Sequence, residues 1–209
     1  MGYTAFRFNE NFYPGLKEGI EELCNKADLP MPLIYVLETP ECNVAVIGET
    51  GSLVFSRGYL EDYRYELEDI LSSAEHEIGH CVSRKAWDIS LNTEKVTKAM
   101  GWAWLISASI AAVGLLSNND NMTSKALTVA IACATTATCS RQVSLHFLRQ
   151  HEYKADEVGM YLSGRPATTI QHFRDFTEHH FPDHSGFMGD LPHKHPLHYK
   201  RIEKMKQYA

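Results

Sequence analysis

Residues 99–116 read Ala-Met-Gly-Trp-Ala-Trp-Leu-Ile-Ser-Ala-Ser-Ile-Ala-Ala-Val-Gly-Leu-Leu, eighteen positions without a charge. Such a stretch must satisfy its own backbone hydrogen bonds and hide its side chains, so it reads as a helix covered by protein or by lipid. Its length as a helix, roughly 27 Å, approaches the roughly 30 Å hydrocarbon core of a bilayer. A second uncharged run, residues 126–140, follows a polar stretch and is weakened by four threonines; as a helix it reaches only about 22 Å. Small residues recur four apart in both runs, Ala108 with Ala112 and Ala126 with Ala130 and Ala134, a spacing that lets two helices approach closely. Residues 99–140 are therefore expected to form an antiparallel helical hairpin. Lys95, Lys98, Arg141 and Arg149 lie outside it, while Asp120 and Lys125 cancel in its turn. A spanning hairpin would thus be multi-pass, with both chain ends and the rest of the protein on the cytoplasmic side. A soluble cytoplasmic protein that buries the hairpin is the alternative.

Around the hairpin the pattern is that of one α+β domain over residues 1–209. Leu16, Ile20 and Leu23 are spaced for an amphipathic helix over 13–27, and short apolar runs at 33–37, 44–47 and 53–55 predict a small antiparallel sheet. Leu67, Ile70, Leu71 and Ala74 predict a helix from about residue 63 to 84. Another is expected over 142–162, stopped by Ser163-Gly164-Arg165-Pro166, then one over 168–180, a His- and Pro-rich loop and a short terminal helix from Pro196. With 20 basic against 26 acidic residues, the net charge of −6 excludes a nucleic-acid partner, which needs clustered Lys and Arg. The five cysteines show no CxxC spacing and cannot all pair, as in a reducing compartment.

The chemistry begins at His76-Glu77-Ile78-Gly79-His80, a His-Glu-x-x-His sequence on the helix expected over 63–84. Residues four apart share a helix face, so both imidazoles reach one zinc ion, with Glu77 beside them as base for a water on the metal. Glu75 has no assigned role, and a solvated acidic helix face is left open for it. A hydrolytic zinc needs a third protein ligand and an open position. Glu152 and Asp156, also four apart on an expected helix, supply a carboxylate for the metal and another to orient a ligand histidine. An ordinary exposed acidic pair beside Lys154 is the plainer account, and the upstream motif outweighs it.

Taken in order, these motifs resemble the HtpX and CAAX-prenyl-endopeptidase family of zinc metalloproteases over roughly residues 30–205. The resemblance rests on Met31-Pro32-Leu33-Ile34-Tyr35-Val36-Leu37, Asn43-Val44-Ala45-Val46-Ile47-Gly48, Val54-Phe55-Ser56-Arg57-Gly58-Tyr59-Leu60, and the His76–His80 helix with its leading residues. Glu152-Tyr153-Lys154-Ala155-Asp156, His195-Pro196 and Arg201-Ile202 complete it. It implies one zinc per chain on His76, His80 and Glu152, with Glu77 as catalytic base and Asp156 behind the ligands. Asn43 and His195 match positions near the metal that could hold an oxyanion. The implied activity is a zinc metalloendopeptidase acting on unfolded or membrane-associated polypeptides, with two hydrophobic helices between the zinc motifs. An inactive, zinc-binding membrane adaptor or peptide-binding homologue is the alternative that a retained Glu77 disfavours.

Overall fold

The computed structural model describes residues 4–11, 13–47, 50–62, 64–180 and 195–209, with the backbone alone at 84–87. The His- and Pro-rich stretch expected as a loop, residues 181–194, and Gly48 lie outside the described residues. The chain is mainly helical with one small sheet, as the residue pattern implies, and its contacts divide it into two compact units. One runs from Lys85 to Gln150; the other holds the described residues before and after it.

In the second of these units, β1 (Ala5–Arg7), β2 (Ile34–Leu37), β3 (Val44–Ile47) and β4 (Ser52–Ser56) form a sheet in the order β1-β2-β4-β3. β1 and β2 are antiparallel, with Phe6 opposite Val36, and β3 and β4 antiparallel, with Val44 opposite Phe55. β2 and β4, however, run parallel, with Val36 opposite Phe55. The sheet is therefore mixed rather than antiparallel. Consecutive runs predict hairpins, but β4 inserts between β2 and β3, a choice made by packing and not by local pattern. The three-residue β1 carries too short an apolar signal to be foreseen.

One face of the sheet buries Ile34, Val36, Leu53 and Phe55 against α1 (Leu16–Lys26) and α3 (Leu67–Val82). Leu16, Ile20, Leu23 and Cys24 come from α1, and Ile70, Ala74 and Ile78 from α3. Removing such apolar surface from water contributes about 25 cal/mol per Å². The four-residue α2 (Arg57–Leu60) leads from β4 and plants Tyr59 in the same core. α3 opens on a reciprocal cap in which the Glu66 side chain accepts from the Asp69 backbone and Asp69 accepts from the Glu66 N–H at 3.0 Å. These bonds satisfy donors that a helix start leaves over. α6 (Pro166–His180) and α7 (His198–Met205) complete this unit, together with the last residues of α5 (Asp120–Ser163).

α5 is stopped as its sequence suggests: Gly164 takes φ +61, the left-handed turn open to glycine, and Pro166 starts α6, where its missing N–H costs nothing. At their other ends the long helices outrun the expectation. α4 (Arg84–Leu116) covers 33 residues and α5 covers 44, because neither Gly nor Pro nor a capping signal breaks the charged segments outside the uncharged runs.

Within the unit from Lys85 to Gln150, α4 and the first part of α5 pack antiparallel. The Ser90 and Ser144 hydroxyls meet at 2.9 Å, and the Ser140 hydroxyl donates to the Thr93 carbonyl at 2.8 Å. Asn119 caps α5 by accepting from the Met122 N–H at 3.0 Å. Ala126 and Ala130 face the partner helix as their spacing predicts. On α4 the close face is Ser107, Ala111 and Gly114 rather than Ala108 and Ala112. Both sets have compatible spacings, and rotation of the helix decides between them. Trp102, Ile106, Val113, Leu115 and Ile131 are turned outward and exposed.

Candidate metal centre

The two sequence motifs meet because their helices touch backbone to backbone. A Cβ on Gly79 of α3 would lie 2.5 Å from the Ala155 carbonyl oxygen, and one on Gly159 only 3.3 Å from the His76 backbone nitrogen. At such a separation His76 and His80 face Glu152 and Asp156 across the seam. His76 Nε2 lies 3.6 Å from Glu152 Oε2, and His80 Nε2 lies 3.5 Å from Glu152 Oε1. Donor atoms of His76, Glu77 and His80 fall within 4.8 Å of one another. Zinc held tetrahedrally by ligands at about 2.0–2.1 Å separates neighbouring donors by about 3.3 Å. Glu152 meets the two histidines through different oxygens and lies outside that grouping, but two imidazoles and one carboxylate are a donor set whose chemistry suits the ion.

Each of these side chains is itself held, an arrangement that orients ligands in metal sites generally. Asp156 Oδ1 sits 3.0 Å from His76 Nδ1. Arg201 of α7 binds Asp156 through two bonds, Nε to Oδ2 at 2.8 Å and Nη2 to Oδ1 at 2.6 Å. Its Nη1 reaches Glu152 Oε2 at 3.2 Å, so one guanidinium fixes both carboxylates. His195 Nδ1 lies 3.1 Å from Glu152 Oε1 and its side chain is largely exposed, at the rim of the cluster. Asn43 does not join it. Its backbone pairs with Ser56, whose hydroxyl accepts from the Asn43 N–H at 2.8 Å, and among the described residues no bond ties its side chain to the cluster.

Glu77 accepts a hydrogen bond from the Val46 N–H at 2.8 Å. Burial pushes its carboxyl up to about 7, against the pull of His76, which puts a proton acceptor near neutrality. Asp156 is held down at about 2 because the charge and hydrogen bonds of Arg201 outweigh its burial, and Arg201 likewise keeps Glu152 well below the usual carboxylate range. Burial and Arg201 oppose charge on His76, yet its bonds to Asp156 and Glu152 prevail and hold its pKa up at about 9. That proton is the one a divalent cation would displace. Burial drives His80 well below its ordinary value.

Two residues of the cluster carried no role in the sequence reading. Arg201 stood in the closing motif without a task, since nothing in sequence puts α7 beside α5. His151 preceded Glu152 unremarked, although it is buried against His80. Glu75 is corrected outright: it is 2% exposed rather than on a solvated face, and among the described residues its Oε2 has no hydrogen-bond partner. Burial pushes its pKa up to about 7, against Arg165 and Lys26. A second grouping, Cys42, Asp62 and His180, also has donors within 4.8 Å. There Arg64 already clasps both Asp62 oxygens, with bonds of 2.9, 3.1 and 2.5 Å, and neutralises the charge that would draw a cation.

Comparison with known proteins matches residues 13–209 to Peptidase family M48. A Protease HtpX homolog of Campylobacter concisus is 30% identical over 174 residues, which cover 78% of this chain and 57% of that protein. Protease HtpX homologs of Listeria monocytogenes and Listeria innocua are 36% identical over 84 residues, 38% of this chain and 26% of theirs. The chain thus spans little more than half the length of the Campylobacter relative. The family match begins ahead of α1 and takes in both helices that meet at Gly79, and on that extent the chain belongs to peptidase family M48.

Proposed function

We propose that this chain is a zinc-dependent endopeptidase that hydrolyses peptide bonds of unfolded or membrane-associated polypeptides, with one zinc per chain on His76, His80 and Glu152. The observation that carries the reading is the meeting of Glu152 with both histidines, at 3.6 and 3.5 Å, beside Glu77. Zinc, when bound, supplies a Lewis acid that makes water nucleophilic near neutral pH and polarises a carbonyl. Glu77 takes the proton from the attacking water on a carboxylate oxygen and passes it to the leaving amide nitrogen, a task suited to a group with a pKa of about 7. Glu152 stays ionised because Arg201 holds it, and Asp156 keeps His76 turned to the site.

The substrate is an extended segment. β3 is an edge strand, and with Asn43 bonded to Ser56 of β4, the alternation of an antiparallel pair turns the main-chain groups of Val44 and Val46 away from β4; Glu77 takes the Val46 N–H, which leaves the Val44 groups and the Val46 carbonyl for a peptide. A peptide adding to that edge is gripped through its main chain beside Glu77, which favours unfolded chains over particular side chains. His195 is the side chain at the rim suited to hold the carbonyl oxygen as charge develops there. Asn43 would have to turn its side chain inward to share that task. The apolar hairpin at 99–140 supports a membrane location, in which Lys95, Lys98, Arg141 and Arg149 would keep the site on the cytoplasmic side.

Purified chain is expected to carry about one zinc and to cleave casein, and Glu77→Gln to keep the metal while losing about 100-fold or more in rate. Metal analysis and a casein digest check both. Cleavage by the Glu77→Gln protein at the wild-type rate would eliminate Glu77 as base, whereas zinc-loaded wild type that leaves casein intact would return the adaptor reading.

A further inference from the structure

An imidazole binds zinc as a neutral ring through one lone pair, so its other nitrogen carries the proton and needs an acceptor. For His76 that acceptor is Asp156. Among the described residues His80 has no carboxylate in the equivalent place. With Nε2 turned to Glu152, its Nδ1 lies 3.1 Å from Nδ1 of His151. The other His151 nitrogen, Nε2, lies 3.2 Å from the backbone carbonyl oxygen of His80 itself.

The proton positions follow from these two contacts. α3 ends at Val82, so the His80 carbonyl belongs to the last turn, where a helix has no donors of its own to offer. A carbonyl only accepts, so Nε2 of His151 carries a proton. His151 is 5% exposed, and a ring that carries its proton on Nε2 offers its lone pair on Nδ1, the nitrogen that meets His80. That lone pair accepts only if His80 is protonated on Nδ1. His80 Nε2 is then bare and faces Glu152. We infer that His151 is a positioning residue that fixes the tautomer and rotation of His80, doing for the second histidine what Asp156 does for the first. The inference rests on the zinc reading above, and it gives a carbonyl of the last turn of α3 a part in preparing the site.

The test uses the full-length chain, with selective ¹⁵N labelling of histidine and zinc affinity measured against a chromogenic chelator. Metal-free wild type is expected to show His80 protonated on Nδ1, assigned by its loss in a His80 variant. His151→Phe removes the acceptor and should weaken zinc binding about 10- to 100-fold, with the His80 proton moving to Nε2, whereas His151→Asn, which keeps an oxygen near the Nδ1 position, should recover affinity to within about threefold. A wild-type His80 protonated on Nε2 overturns the inference whether or not either variant folds. So does a His151→Phe affinity within about twofold of wild type, or an Asn variant as weak as the Phe variant. Wild-type protein that takes up no zinc would overturn the metallopeptidase reading instead, while the tautomer of its His80 still decides the role of His151.

Discussion

Single residues in this protein owe their behaviour to what burial leaves them to bond with. His172 is an instance outside the proposed metal site. Its Nδ1 lies 3.2 Å from Asp69 Oδ1, and its Nε2 lies 3.2 Å from the Ser73 hydroxyl and 3.3 Å from that of Tyr59. Burial lowers its pKa in spite of Asp69. In the unfolded chain the ring takes a proton near about 6.5, whereas the folded chain resists it. Below that pH the unfolded state therefore binds more protons, and the stability that His172 contributes, complete above about 6.5, is lost as pH falls through the lowered folded value. Denaturation midpoints from pH 8 to pH 5 should fall at the acid end for wild type and fall less for His172→Gln; equal slopes would remove His172 from the account. Glu75 poses the opposite problem, a carboxylate oxygen with no described partner, and no sequence pattern announces it because helical spacing does not say which acidic side the core will cover.

At the level of elements, the closeness of α3 and α5 decides whether the motifs can act together. Gly79 is the x before His80 in the zinc motif, and its missing side chain lets the Ala155 backbone approach. A methyl there would meet a carbonyl oxygen at 2.5 Å and a Cα at 2.8 Å, atoms that move only if the helices part. Gly79→Ala is expected to destabilise the protein by about 1–3 kcal/mol and to weaken zinc binding, since Glu152 lies less than a turn from Ala155. Thermal melting and chelator competition measure the two effects, and a variant that melts and binds as wild type would show that the seam is loose. Helix periods and the Gly164 stop are legible in the residues, whereas α6 starts at Pro166, two residues ahead of the start expected at 168. The order of strands was not, because β4 finds its place between β2 and β3 by packing against α1 and α3.

For the molecule as a whole, the outstanding physical fact is how much apolar surface the unit from Lys85 to Gln150 leaves outside. Trp102 is 69% exposed, Val113 58% and Leu115 66%, and Asp88–Leu116 is long and apolar enough to cross a membrane. Among the described residues it is the one helix that qualifies. Patches of this kind mark contact with lipid or protein. Expressed in cells, the chain is expected to stay with the membrane through high salt and alkaline carbonate and to leave it only in detergent. Release by carbonate alone would support the soluble alternative and remove the argument for sidedness.

From the chain itself one could read what each segment can offer: two imidazoles and a carboxylate four or fewer residues apart, a third donor on another helix, and an apolar hairpin between them. Those are consequences of helical spacing and of composition, which are local. Which donors converge was settled only in three dimensions, through Gly79 against Ala155, Arg201 bridging two carboxylates and His151 beneath His80. Such pairings depend on how helices rotate and how near they approach. Side-chain volume and buried hydrogen bonds set both, and neither has a period along the chain.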